Sequence, residues 1–75
     1  MTQGTIVKIA AASSSSMNLW YRYHKKYSYL MCPCKLKFGS RWIIKLKIDE
    51  NSFILVDQET ETKMTIMSKK DLIKI

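Results

Sequence analysis

The first 48 residues contain no aspartate or glutamate. All six carboxylates, Asp49, Glu50, Asp57, Glu59, Glu61 and Asp71, lie in the remaining 27. Against that absence, residues 1–48 carry Lys8, Arg22, Lys25, Lys26, Lys35, Lys37, Arg41, Lys45 and Lys47, a local charge of +9 within a chain of net +7. A stretch with no local counter-charge generates a positive potential that attracts phosphate or a strongly acidic protein surface. Solubility alone requires charge but not segregation by sign, so the asymmetry points to a partner.

Other scarcities narrow the function further. The two glycines, Gly4 and Gly39, cannot build a glycine-rich phosphate loop. The one histidine, His24, and the two cysteines, Cys32 and Cys34, fall short of the four ligands a structural zinc needs, so no metal or cofactor is expected. The pair Cys32-Pro33-Cys34 would close a very small disulfide ring, which makes reduced thiols the expectation. No apolar run reaches the roughly 18 residues that span a bilayer, and Met1-Thr2-Gln3-Gly4 opens no basic-then-apolar leader. A soluble, cytoplasmic protein without membrane attachment is expected. General acid-base chemistry needs a titratable pair in a cleft, and with every carboxylate after residue 48 no such pair is legible; an enzyme is not expected.

What is present is one small domain over residues 1–75. At 75 residues the chain buries only about 60% of its unfolded surface and must rely on one core. Its apolar fraction of 47% suffices for that core, which argues against disorder. Read for period, the sequence is mostly β. Residues 5–10 form a β-branched run, and residues 11–18, with Ser13 to Ser16, read as a flexible serine-rich loop. Residues 35–38 read as a short strand or extended connection. Residues 41–49, 52–57 and 63–67 read as three strands of a meander with turns at Glu50-Asn51 and 58–62. A short turn at 68–71, one turn of 3₁₀ helix, precedes a last strand from Leu72. That order looks like an all-β SH3-like small barrel of about five core strands with a long first excursion. An OB-like barrel is the nearest competitor.

Within the excursion, the alternation Tyr21, Tyr23 and Tyr27, Tyr29 favours an aromatic β-hairpin turning at Lys25-Lys26. A helix over residues 16–32 is the α+β alternative, since Met17, Trp20, His24, Tyr27 and Met31 fall at 3-4-3-4 spacing between Ser16 as N-cap and Pro33 as stop. The hairpin register places Trp20, Arg22, His24, Tyr27, Tyr29 and Met31 on one face, with Lys25 and Lys26 at its tip. In the meander, Ile44, Leu46 and Ile48 are expected inward with Phe53 and Leu55, and Lys45 and Lys47 outward beside Ile54 and Val56.

These placements define a binding site made of two kinds of group. Trp20, Tyr27 and Tyr29 would stack on bases, Arg22 would add cation-π and phosphate contacts, and Lys25, Lys26, Lys35, Lys37, Arg41, Lys45 and Lys47 would pair with phosphates. The leading expectation is a non-enzymatic module for single-stranded or structured nucleic acid. The alternative is a small inhibitor or adaptor, of the kind a virus or mobile element encodes, docking its basic face on the acidic surface of a larger nucleic-acid-processing protein.

Overall fold

From Arg41 onward the two-residue period of the sequence becomes a meander. The computed structural model describes all residues 1–75. β1 (Ile6–Ile9) precedes helix α1 (Ser14–Tyr23), β2 (Leu30–Met31) and a 3₁₀ turn (Pro33–Lys35). β3 (Arg41–Asp49), β4 (Ser52–Asp57) and β5 (Met64–Ser68) follow, then a second 3₁₀ turn (Lys69–Asp71) and β6 (Leu72–Lys74). The six strands form one mixed sheet in the order β2-β5-β4-β3-β1-β6, in which only the β2–β5 pairing is parallel. The radius of gyration, 10.6 Å, matches the roughly 11 Å of a single folded unit of this length.

The protein is thus mostly β with one helix. The meander, its turns and the last strand lie where the sequence places them. β2 and β6 remain free edges, so the sheet is open and no pairing closes it into the expected barrel.

β4 lies at the centre of the packing. Ser52 through Val56 are all buried, because both faces of this strand are covered. Phe53 and Leu55 enter a cluster with Val7, Ile9, Leu36, Trp42, Ile44 and Met67 on the inner face of the curled sheet. On the opposite face Ile54 and Ile66 meet Leu19 of α1 and Leu30, with Trp20, Tyr23 and Tyr27 packed around them. Each such aliphatic side chain contributes about 1.5–3 kcal/mol on burial. The excursion therefore covers Ile54, one of the two apolar residues that the sequence leaves facing outward, and the other, Val56, is buried as well.

Four expectations change. The strict alternation of β3 breaks at a bulge: Ile44 pairs with Leu55, but Leu46 then pairs with Ile54 and Lys47 with Phe53. Lys45 is the extra residue, and beyond it the faces exchange. Leu46 lies 45% exposed on the outer face instead of inward, and Lys47 shares the face of Phe53.

The aromatic hairpin is replaced by helix α1, which ends at Tyr23 rather than running to residue 32. Intrinsic propensity disfavours a helix so rich in tyrosine and tryptophan, but packing of Leu19, Trp20 and Tyr23 on the sheet outweighs it. Breaking the chain after His24 lets Leu30 and Met31 join β5, where the Thr65 hydroxyl donates to the Met31 carbonyl at 2.9 Å. Residues 35–38 are likewise not a strand: the 3₁₀ turn after Pro33 and the Gly39 turn occupy that stretch.

The serine tract is not a loop tip either. Ser14 to Ser16 begin α1, and their anchor comes from the far end of the chain. The Asp71 carboxylate accepts from the Ser13 N–H (3.1 Å), the Ser13 hydroxyl (2.7 Å) and the Ser16 hydroxyl (2.5 Å). Ser16 Oγ in turn accepts the Ser68 N–H at 2.9 Å. Ser16 and Asp71 are both buried, and no buried side-chain polar atom lacks a partner. A carboxylate at a helix start also meets the positive end of the helix dipole.

Candidate nucleic-acid interface

Helix α1 presents three stripes, and its period sorts the candidate residues. Ser16, Leu19 and Tyr23 face the sheet. Ser15, Asn18, Leu19 and Arg22 line a shallow groove with Asn51, Ser52, Ser68 and Lys70. Met17, Trp20, Tyr21 and His24 form the third stripe, at i, i+3, i+4 and i+7. Arg22 is thereby separated from Trp20, with which it would have shared a face of the hairpin. It lies toward Asp49, whose carboxyl is held below the usual range chiefly by the Asn51 N–H, with Arg22 adding to the effect.

Around the C-terminal end of α1 the aromatic side chains form two groups, Trp20 with Tyr21 and His24, and Tyr23 with Tyr27 and Tyr29, which together make a crest. Trp20 stacks on His24 with centroids 4.6 Å apart and meets Tyr21 edge-on at 5.3 Å. Tyr27 lies 6.3 Å from Tyr23 and 6.0 Å from Tyr29, and Lys26 Nζ sits 5.4 Å from the Tyr27 centroid. Tyr21 and Tyr29 are open, at 62% and 56% exposure, and Lys25 and Lys26 are exposed in the segment between them. Trp20 is half-buried: its indole N–H donates to the Leu30 carbonyl at 3.2 Å, and His24 occupies one ring face. His24 Nδ1 donates to the Trp20 and Tyr21 carbonyls at 3.0 and 3.1 Å, which closes the helix end.

A second group forms around the turn after β2. Lys35, Lys37, Arg41 and Lys63 line an open groove of about 840 Å³ together with Phe38, Trp42, Asp57 and Glu59. Phe38 is 63% exposed there. Gly39 makes the turn there with a φ of +86°, a region a side chain would strain although the space around it is open. Lys45 and Lys47 stand apart from both groups, on the β3–β4 hairpin.

Only one ion pair forms among the thirteen basic side chains, Lys47 with Glu50 at 3.5 Å. The others remain without a carboxylate partner. The carboxylates are engaged elsewhere: Asp57 accepts the Thr60 hydroxyl (2.6 Å) and the N–H groups of Thr60, Thr62 and Lys63, which hold its carboxyl far below the ordinary range. No three His, Cys, Asp or Glu side chains come together. The Cys34 thiol is pushed above its ordinary range, first by its hydrogen bond with Cys32.

Of the candidate residues, Trp20 lies in one aromatic group of the crest, Tyr27 and Tyr29 lie in the other with Lys26 against Tyr27, Lys25 is exposed in the same segment, and Lys35, Lys37 and Arg41 line the groove. Arg22, Lys45 and Lys47 fall outside both. Tyr21, Phe38 and Lys63 are open neighbours that the strand reading left out. A helical period applied from Met17 would have found Tyr21. Comparison with protein families, with curated proteins and with solved structures finds no match for this chain. No helix is long and apolar enough to cross a membrane.

Proposed function

We propose that the protein is a non-enzymatic module that binds single-stranded nucleic acid, stacking bases on the crest and pairing phosphates with the cations of crest and groove. The observation that carries this reading is two exposed tyrosines, Tyr21 in one aromatic group and Tyr29 in the other, with the exposed Lys25 and Lys26, neither of them ion-paired, in the segment between them. Flat aromatic faces accept any base, and lysines beside them neutralise the linking phosphates. The SH3-like reading of the meander, with β1 and β6 added beside β3, belongs to this proposal, as does a cytoplasmic location.

Fluorescence anisotropy with a labelled single-stranded oligonucleotide tests it. Neutralising six phosphates gives a slope of log affinity against log salt near about −4. A flat dependence overturns the reading. Tyr29→Ala and Tyr21→Ala each weaken binding by about 1–3 kcal/mol while leaving the fold intact. Trp20→Ala, which removes a packed and hydrogen-bonded ring, costs stability as well.

One observation favours a second reading, docking on an acidic protein. The outer face of β3, β1 and β6, beyond the reach of α1, exposes Leu46, Ile73 and Ile75 near Lys8. Recovery of an acidic protein without nucleic acid, through a contact that Ile73→Ser abolishes, would select it.

A further inference from the structure

The stripe of α1 that carries the crest has one more member, Met17, and it meets the only cysteines of the chain. Cys32 Sγ lies 3.7 Å from Met17 Sδ and 2.7 Å from Cys34 Sγ. Pro33 between the two thiols is buried, which pins the turn that presents them, while Cys34 is exposed and Cys32 half-buried. From this geometry we infer that Met17, Cys32 and Cys34 form a three-sulfur site for a thiophilic monovalent cation of the Cu(I) class.

Three arguments converge on that class. Two sulfurs bound to one metal at about 2.3 Å lie about 3.7–4.0 Å apart, so Cys32 and Met17 already have the required spacing. Cys34 must swing outward by about 1 Å, a rotation that its exposed side chain permits. Second, thiolate plus thioether is the soft donor set that selects Cu(I), and three sulfurs complete a trigonal shell. Zinc requires a fourth ligand, and no third His, Cys, Asp or Glu joins the pair. Third, two thiolates around a monovalent cation leave one net negative charge, and Lys35 directly follows Cys34 in the chain. Binding breaks two S–H bonds, forms two metal–thiolate bonds and one metal–thioether bond, and releases two protons, with no change in oxidation state.

The site is separable from nucleic-acid binding and is tested on the reduced, full-length protein. Cu(I) is titrated anaerobically against a chromophoric chelator, with the ultraviolet sulfur-to-copper band as a second readout. The expected result is one Cu(I) per chain, not displaced by equimolar Zn(II). Met17→Leu, a volume-conserving change that keeps the helix packed, weakens binding at least about tenfold, the scale that even an outer-shell partner contributes. Cys34→Ser abolishes it. Unchanged affinity in Met17→Leu, equal competition by Zn(II), one metal per two chains, or no withdrawal of Cu(I) from the chelator would each overturn the assignment.

Discussion

Residues 1–48 and 49–75 use charge for different purposes. Three carboxylates of the second region accept hydrogen bonds from neutral groups: Asp49 organises the β3–β4 turn, Asp57 the loop from Thr60 to Lys63, and Asp71 the start of α1. Only Glu50 meets a cation. The cations of the first region consequently keep their charge at the surface. Net charge alone would describe this as a basic protein; the pairing shows three aspartates committed to folding and the bases left available. That division is open to attack at each acid in turn.

The largest effect belongs to Asp71. Its carboxylate receives three donors in a buried setting, and Asp71→Asn replaces one acceptor oxygen with an amide that has protons of its own to place. Hydrogen bonds to a charged group contribute about 1.5–3 kcal/mol each, and their loss is not additive, so a destabilisation of about 3 kcal/mol is expected in urea denaturation. Ser16→Ala, which leaves the Ser68 N–H without its acceptor, should cost about 1–2 kcal/mol. Changes below about 0.5 kcal/mol in both variants would show the latch to be idle and would erase the contrast between the two regions.

The same contrast explains which parts of the fold the sequence makes legible. In residues 41–74 runs of strand-forming residues are separated by turns that carry their own polar residues, and Asp49 and Asp57 bond within those turns, so local pattern suffices to place the strands. Residues 10–40 obey information held elsewhere. The four serines read as a linker because the acid that anchors them is 58 residues from Ser13. The tyrosines read as a strand because propensity is local, whereas the helix is stabilised by packing on Ile54 and Ile66. The site was legible in composition, through cations and aromatics without acids, but its grouping was not. Changing a strand to a helix moves every second residue to a different neighbour, which is why Arg22 left the crest and Tyr21 joined it. The bulge at Lys45 did the same to Leu46 on a smaller scale.

A smaller effect is expected at Asp57, and it appears as a pH dependence. Its carboxyl titrates lower in the folded protein than the roughly 3.9 of an unfolded chain, because the Thr60 hydroxyl and three N–H groups favour the charged form. A depressed folded value means that the stabilisation is fully present above about pH 5 and is lost as pH falls through the unfolded value toward the folded one. Asp57→Asn should therefore flatten the acid limb of a stability profile measured between pH 5 and 2, while lowering stability at pH 7 by less than Asp71→Asn does. An acid limb that keeps its full slope in the variant would remove Asp57 from the structural acids.

The smallest effect should come from Glu50, the one carboxylate that meets a lysine. Its partner Lys47 is 3.5 Å away and both side chains are open to water, so solvent screens the attraction and ordering two flexible chains offsets most of the remainder. Glu50→Gln is expected to change unfolding stability by less than about 0.5 kcal/mol and to leave the Asp49–Asn51 turn bond in place. A loss comparable with that of Asp71→Asn would mean that cation pairing does hold this fold together, and the unpaired lysines of the first region would then need an explanation other than a partner.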